Sequence, residues 1–235
     1  MSEFEDAIKD FDKAIELDPD NSEAYSKRGS ANGKLRKYSE ALSDFDKAIE
    51  LNPNYVEPYR ERGIIMIQLK AYLKAINDFD KVIELDSTLF ETYYNRGNAK
   101  LDIGDFREAM NDFNKCLAIN PEFTKAYLAR GAIKAKTRKF EEALVDFNKV
   151  IELNPKLYEG YSAKGFCLGM QGYFEKSIIE YDKAIELKPN DSELFLRRAI
   201  MKSEIEDDEG SCMDLRKAKE LGNNSASQFY EERCN

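Results

Sequence analysis

The stretch "DFDKAIEL" fills residues 10–17, and the same eight letters return at 44–51. Variants read "DFDKVIEL" at 78–85, "DFNKCLAI" at 112–119, "DFNKVIEL" at 146–153, "EYDKAIEL" at 180–187 and "DLRKAKEL" at 214–221, each step being 34 residues. A unit of this length cannot bury its apolar face alone, so a fixed period implies units stacked into one elongated body. The expectation is a single domain over residues 1–235.

Aligned on that period, the chain reads as columns. One column is small at every step: Ala7, Ala41, Ala75, Ala109, Ala143, Ser177 and Ser211. Four residues on stand Phe11, Phe45, Phe79, Phe113, Phe147, Tyr181 and Leu215, and three further Ala14, Ala48, Val82, Cys116, Val150, Ala184 and Ala218. These spacings put large and small side chains alternately on one helix face, as interlocking helices require. This helix, B, stops just before Pro19, Pro53, Pro121, Pro155 and Pro189, with Ser87 in the remaining place, because proline cannot continue a helix.

A first helix, A, precedes each later B and carries Tyr25, Tyr59, Tyr93, Tyr127, Tyr161 and Phe195. Four residues on come Gly29, Gly63, Gly97, Gly131 and Gly165, then Ala199. Glycine inside a helix costs about 1 kcal/mol against alanine, so its recurrence implies another backbone too close for a side chain. Just before the glycine stand Arg28, Arg62, Arg96, Arg130, Lys164 and Arg198, and sixteen residues later Asp44, Asp78, Asp112, Asp146, Glu180 and Asp214. Where the cation becomes Lys the anion becomes Glu, which points to a structural ion pair tying A to B. On this reading, removing Arg96 strands Asp112.

Composition narrows the function. The net charge of −9 and pI near 4.9 argue against nucleic acid, whose phosphates demand Lys and Arg, and favour basic or neutral partners. The longest apolar run, "GIIMIQL" at 63–69, falls short of the roughly 18 residues of a membrane helix, so no membrane insertion is expected. Histidine is absent, and the four cysteines (Cys116, Cys167, Cys212 and Cys234) form no CxxC. No metal and no cofactor are expected. No nucleophile with its base and no phosphate loop occur, so the chain is expected not to be an enzyme.

With its aromatic, its glycine, its small-x3-aromatic pair and its terminal proline, the pattern resembles the tetratricopeptide repeat from residue 3 to about 221. The resemblance implies an all-α, right-handed α-solenoid, a superhelix of antiparallel helix pairs. The units are 3–21 (helix B only), 22–55, 56–89, 90–123, 124–157, 158–191 and 192–224, with a capping helix at 225–235 whose apolar face holds Phe229 and Tyr230. It also implies a non-enzymatic scaffold that binds a peptide or partner protein in a concave groove lined by the A helices. The alternative is an architectural protein that self-associates through its terminal repeats, with residues 3–17 as the contact.

In that frame the groove residues are Arg60, Tyr94, Asn95, Asn98, Lys125, Leu128, Phe166, Met170, Arg197 and Ile200, with Leu196 on the same face. The groove is polar first and apolar later. Phe166, Met170 and Ile200 read either as an exposed contact patch or as residues the superhelix closes over. Some family members grip a chaperone's C-terminal carboxylate with Lys, Asn and Arg. Here the corresponding places hold Arg60, Ile64, Asn95, Lys125 and Ala129, so that clamp is not expected. Cys212 and Cys234 lie eleven residues either side of Asn223; free thiols would suit the cytoplasm and a disulfide an extracytoplasmic space.

Overall fold

The computed structural model describes residues 2–234, and among these every regular element is a helix. In chain order they are α1 (Ser2–Leu17), α2 (Ser22–Lys34), α3 (Tyr38–Leu51), α4 (Val56–Gln68), α5 (Tyr72–Leu85), α6 (Phe90–Asp102), α7 (Phe106–Ile119), α8 (Thr124–Lys136), α9 (Phe140–Leu153), α10 (Tyr158–Met170), α11 (Phe174–Leu187), α12 (Ser192–Ser203), α13 (Asp208–Glu220) and α14 (Asn224–Arg233). The architecture is an all-α repeat solenoid. The chain divides into two compact units, residues 1–121 and 122–235. The first carries 17 basic against 24 acidic residues and the second 19 against 21, so most of the negative charge lies in the first.

The hairpins α2–α3, α4–α5 and α6–α7 follow α1 in the first unit; α8–α9, α10–α11 and α12–α13 precede α14 in the second. Each A helix turns into its B helix through one residue of positive φ: Arg36, Lys70, Gly104, Arg138, Gly172 and Glu206. Only two of the six are glycine, so these turns hold four side-chain-bearing residues in the left-handed region.

The interlocking columns form the core. Phe45, Phe79, Phe113, Phe147 and Tyr181 are all almost completely buried, each gaining about 1.5–3 kcal/mol from leaving water. The helix A glycine faces that ring. A Cβ at Gly29, Gly63, Gly97 or Gly131 would lie 2.9, 2.8, 2.9 or 2.6 Å from the partner phenylalanine. The expected backbone approach therefore has to be corrected: at these four positions the neighbour is an aromatic side chain. Only at Gly165 does a backbone atom, the Ser177 carbonyl at 3.3 Å, come as near as the ring. The exception in the last pair follows directly, since Ala199 opposes Leu215, a smaller group than phenylalanine. Where the small column becomes serine, the hydroxyl finds a partner: Ser177 donates to the Gly165 carbonyl at 2.7 Å and Ser211 to that of Ala199 at 3.0 Å.

The ion pairs form as expected and go further. Arg28, Arg62, Arg96, Arg130 and Arg198 each lie 2.6 Å from the aspartate sixteen residues on, and Lys164 lies 2.8 Å from Glu180. Four arginines also reach backwards to the preceding B helix, pairing Arg28 with Asp12, Arg62 with Asp46, Arg96 with Asp80 and Arg198 with Asp182. Each of these guanidinium groups joins three helices and stacks on its own helix's aromatic, as Arg62 does 5.6 Å from the Tyr59 centroid.

Candidate functional site

With one helix face committed to Phe and Asp partners, the remaining faces of the A helices are free to vary. In the first unit that face is polar. Arg60 is half-buried in a nest of acids, 2.5 Å from Glu57 and 2.8 Å from Glu61. The Glu57 hydrogen bond is the main cause holding its guanidinium above the ordinary value, against the opposing effect of burial, and Glu91 adds a smaller attraction. Tyr94 turns its ring toward Phe113, with 5.9 Å between centroids. Asn95 and Asn98 sit half-buried on α6.

In the second unit the sequence candidates separate. Lys125 is exposed near the start of α8, and Leu128 is half-buried against the Phe140–Phe147–Cys167 cluster. Leu196, expected on the groove face, is 7% exposed and belongs to the core of α12 and α13. The side chain directly after the aromatic column turns toward the helix interface there. Phe166, Met170, Arg197 and Ile200, by contrast, come together.

These four line one cleft of about 340 Å³ between α10, α11 and α12, with Gly169, Phe174, Tyr181, Met201 and Glu204 completing its wall. Phe166, Met170 and Ile200 are 37, 49 and 41% exposed, so the superhelix does not close over them. Arg197 stands over the Phe166 ring, 5.8 Å from its centroid, and pairs with Glu193 at 2.8 Å. On the floor, burial pushes the Tyr181 hydroxyl up to about 12, with Arg197 pulling the other way. A Cβ on Gly169 would lie 2.4 Å from the Met201 sulfur, so the glycine sets how deeply Met201 sits. Such a site can take an apolar side chain.

A second cleft of about 190 Å³ adjoins α12, α13 and α14, lined by Ala199, Ile200, Ser203, Glu204, Ser211, Leu215, Phe229 and Arg233. Phe229 was expected to share the cap's apolar face with Tyr230. Instead Tyr230 packs on the core while Phe229 stays 37% exposed at this cleft. Only three residues separate α13 from α14, against four between α11 and α12. With α13 also one residue shorter than α11, the cap begins at Asn224, two residues before a 34-residue step from Ser192. Cys212 and Cys234 form a disulfide with Cα atoms 5.7 Å apart. Cys116 and Cys167 are buried, and burial pushes their thiols up to about 12 and about 11.

Among the described residues no helix is long and apolar enough to cross a membrane. No curated relative matches the sequence. Among solved structures the chain is similar to YrrB, a TPR protein with an unusual peptide-binding site, at 24% identity over 80% of this chain and 97% of that one, with a TM-score of 0.67. A tetratricopeptide repeat protein from Parabacteroides merdae matches at 20% identity over 100% and 93%, with a TM-score of 0.69, and MamA from Desulfovibrio magneticus RS-1 at 22% over 71% and 94%, with 0.67. At these identities the likeness establishes the fold. The family model described as Tetratricopeptide repeat matches residues 22–55, 90–123 and 124–157, a second of that description matches 158–191, and one described as TPR repeat matches 1–35. The chain thus belongs to the tetratricopeptide-repeat family.

Proposed function

We propose that this protein is a non-enzymatic scaffold whose second unit binds a partner polypeptide through an apolar anchor residue seated between α10 and α12. The observation that carries the reading is the convergence of Phe166, Met170 and Ile200, each more than a third exposed, on one cleft. Large apolar side chains gathered in a concavity cost solvation unless a ligand covers them. YrrB, similar in fold, supports a peptide as ligand, and the disulfide favours the oxidising of the two compartments considered.

The test is selection of peptides from a display library, followed by binding to variants. Phe166→Ala with Met170→Ala is expected to weaken a selected peptide by about 2 kcal/mol, while Tyr94→Ala leaves it unchanged. Hydrogen-exchange protection confined to α9 and α13 would sink the reading.

A second reading, self-association, is favoured by α1. Its Ala7, Phe11 and Ala14 are only half-buried where the same columns elsewhere are sealed, Phe4 is 39% exposed and Leu17 88%. Sedimentation of Phe4→Glu with Ile8→Glu against the parent decides it. A parent that stays monomeric across concentration removes this reading.

A further inference from the structure

The cleft beside α14 exists only because α14 is held in place. That helix has ten residues and one fully buried side chain, Ala226, with Tyr230 and Cys234 partly covered. A helix so short does not persist without its docking contacts. Its polar ties are slight: Lys219 meets Glu231 at 3.2 Å with both side chains largely exposed, and Arg233 donates to Ser203 at 2.8 Å. The chain pins α14 at Asn223, and the disulfide pins its far end at Cys234, past Phe229 and Arg233.

The two clefts are also continuous. Ile200 and Glu204 line both. The Glu204 side chain is exposed, and among the described residues its carboxylate makes no hydrogen bond or ion pair. A cavity of about 150 Å³ accommodates a benzene ring, so the 190 Å³ beside Phe229 admits one aliphatic or aromatic side chain. An occupant of both clefts therefore presents two apolar anchors, with a basic residue between them for Glu204. Arg197 in the first cleft is paired with Glu193 and Arg233 in the second donates to Ser203, which leaves the Glu204 carboxylate as the charge between the anchors open to a basic side chain.

We propose that the α12–α13–α14 cleft is a second anchor subsite for a segment of the pattern apolar–basic–apolar, and that the Cys212–Cys234 disulfide switches this subsite on. The proposal rests on the reading of the first cleft as a peptide site. Reduction by a dithiol breaks the S–S bond and leaves two thiols, while the dithiol closes to its own cyclic disulfide. Freed at Cys234, α14 swings from Asn223 and withdraws Phe229 and Arg233, whereas the cleft of Phe166, Met170 and Ile200 is untouched. The buried Cys116 and Cys167 stay outside the exchange.

The probe is a set of fluorescent twelve-residue peptides carrying either one Leu or Phe anchor, or two anchors with Lys between them at scanned spacings. The oxidised protein is expected to bind the best two-anchor peptide at least tenfold more tightly than the single-anchor peptides. Dithiothreitol, Cys212→Ser with Cys234→Ser, or Phe229→Ala in the oxidised protein each remove that advantage and leave single-anchor binding intact; Glu204→Gln removes the preference for Lys over Gln. Hydrogen exchange on α14 should rise with reduction and remain low in Phe229→Ala. Equal binding of one- and two-anchor peptides by the oxidised protein overturns the subsite while leaving the first cleft standing. An advantage that survives reduction overturns the switch. No binding of any peptide removes both this proposal and the reading beneath it.

Discussion

In the repeat at 90–123, Asp112 lies 2.6 Å from Arg96 and 2.9 Å from Lys100; in the repeat at 56–89, Asp78 lies 2.6 Å from Arg62, and Met66 stands where its neighbour has the lysine. Lys134 and Lys202 fill that place in two further repeats, each 2.9 Å from its aspartate. Beside Asp78 a cleft of about 300 Å³ opens instead, bounded by Arg62, Met66, Lys74 and Asn77. Burial pushes the Asp78 carboxyl above its ordinary range, and Arg62, pulling the other way, does not offset it. Identical Arg–Asp pairs thus conceal unequal electrostatics, and the residue four positions after the arginine decides how well the carboxylate is held.

The largest effect expected from this difference is on single removals of the arginine. Arg62→Leu leaves Asp78, 8% exposed, with no cation in contact and should cost about 3–5 kcal/mol, most of it recovered by adding Asp78→Leu. Arg96→Leu should cost only roughly 2 kcal/mol, because Lys100 still holds Asp112. This lowers the penalty that the sequence alone suggests for Arg96, since Asp112 is not stranded. Urea unfolding, read with hydrogen exchange on α4–α5 and on α6–α7, measures both, because repeats open partly independently. Equal losses at the two arginines would break the comparison.

The legible and illegible parts of this fold divide along the same line. Period, helix pairing and the partner sixteen residues downstream were readable because stacking repeats each requirement at every step, as the exchange of Lys164 and Glu180 for Arg and Asp shows. The backward pairs to Asp12, Asp46, Asp80 and Asp182 were missed, although a signal existed: an acid recurs sixteen residues before four of the six cations. The clefts were harder. Phe166, Met170, Arg197 and Ile200 were placed by register, yet Gly169, Met201 and Glu204 complete their wall through packing that occurs in one repeat only. Phe229 lies on a helix that begins two residues earlier than the period predicts. What is repeated can be read from the chain; what is unique to one repeat needs its packing.

The smallest and most direct test installs the missing cation. Met66 is half-buried beside the cleft next to Asp78, so Met66→Lys has room to place its ammonium where Lys100 sits in the next repeat. The gain should be about 1 kcal/mol at neutral pH, after the loss of methionine packing. Its pH dependence follows from the direction of the Asp78 shift. A carboxyl raised in the folded state keeps its proton longer folded than unfolded, so in the parent its penalty on stability is absent below the unfolded pKa and sets in as pH rises through the folded one. The added lysine favours the ionised carboxylate and relieves that penalty. The difference between variant and parent should therefore be small in acid, where Asp78 is protonated in both states, and grow as pH rises past the carboxylate range. Thermal unfolding of the two proteins from pH 3 to 7 measures it. A stability difference that stays flat across that range would mean that Met66→Lys acts through packing, and that the two repeats hold their aspartates alike.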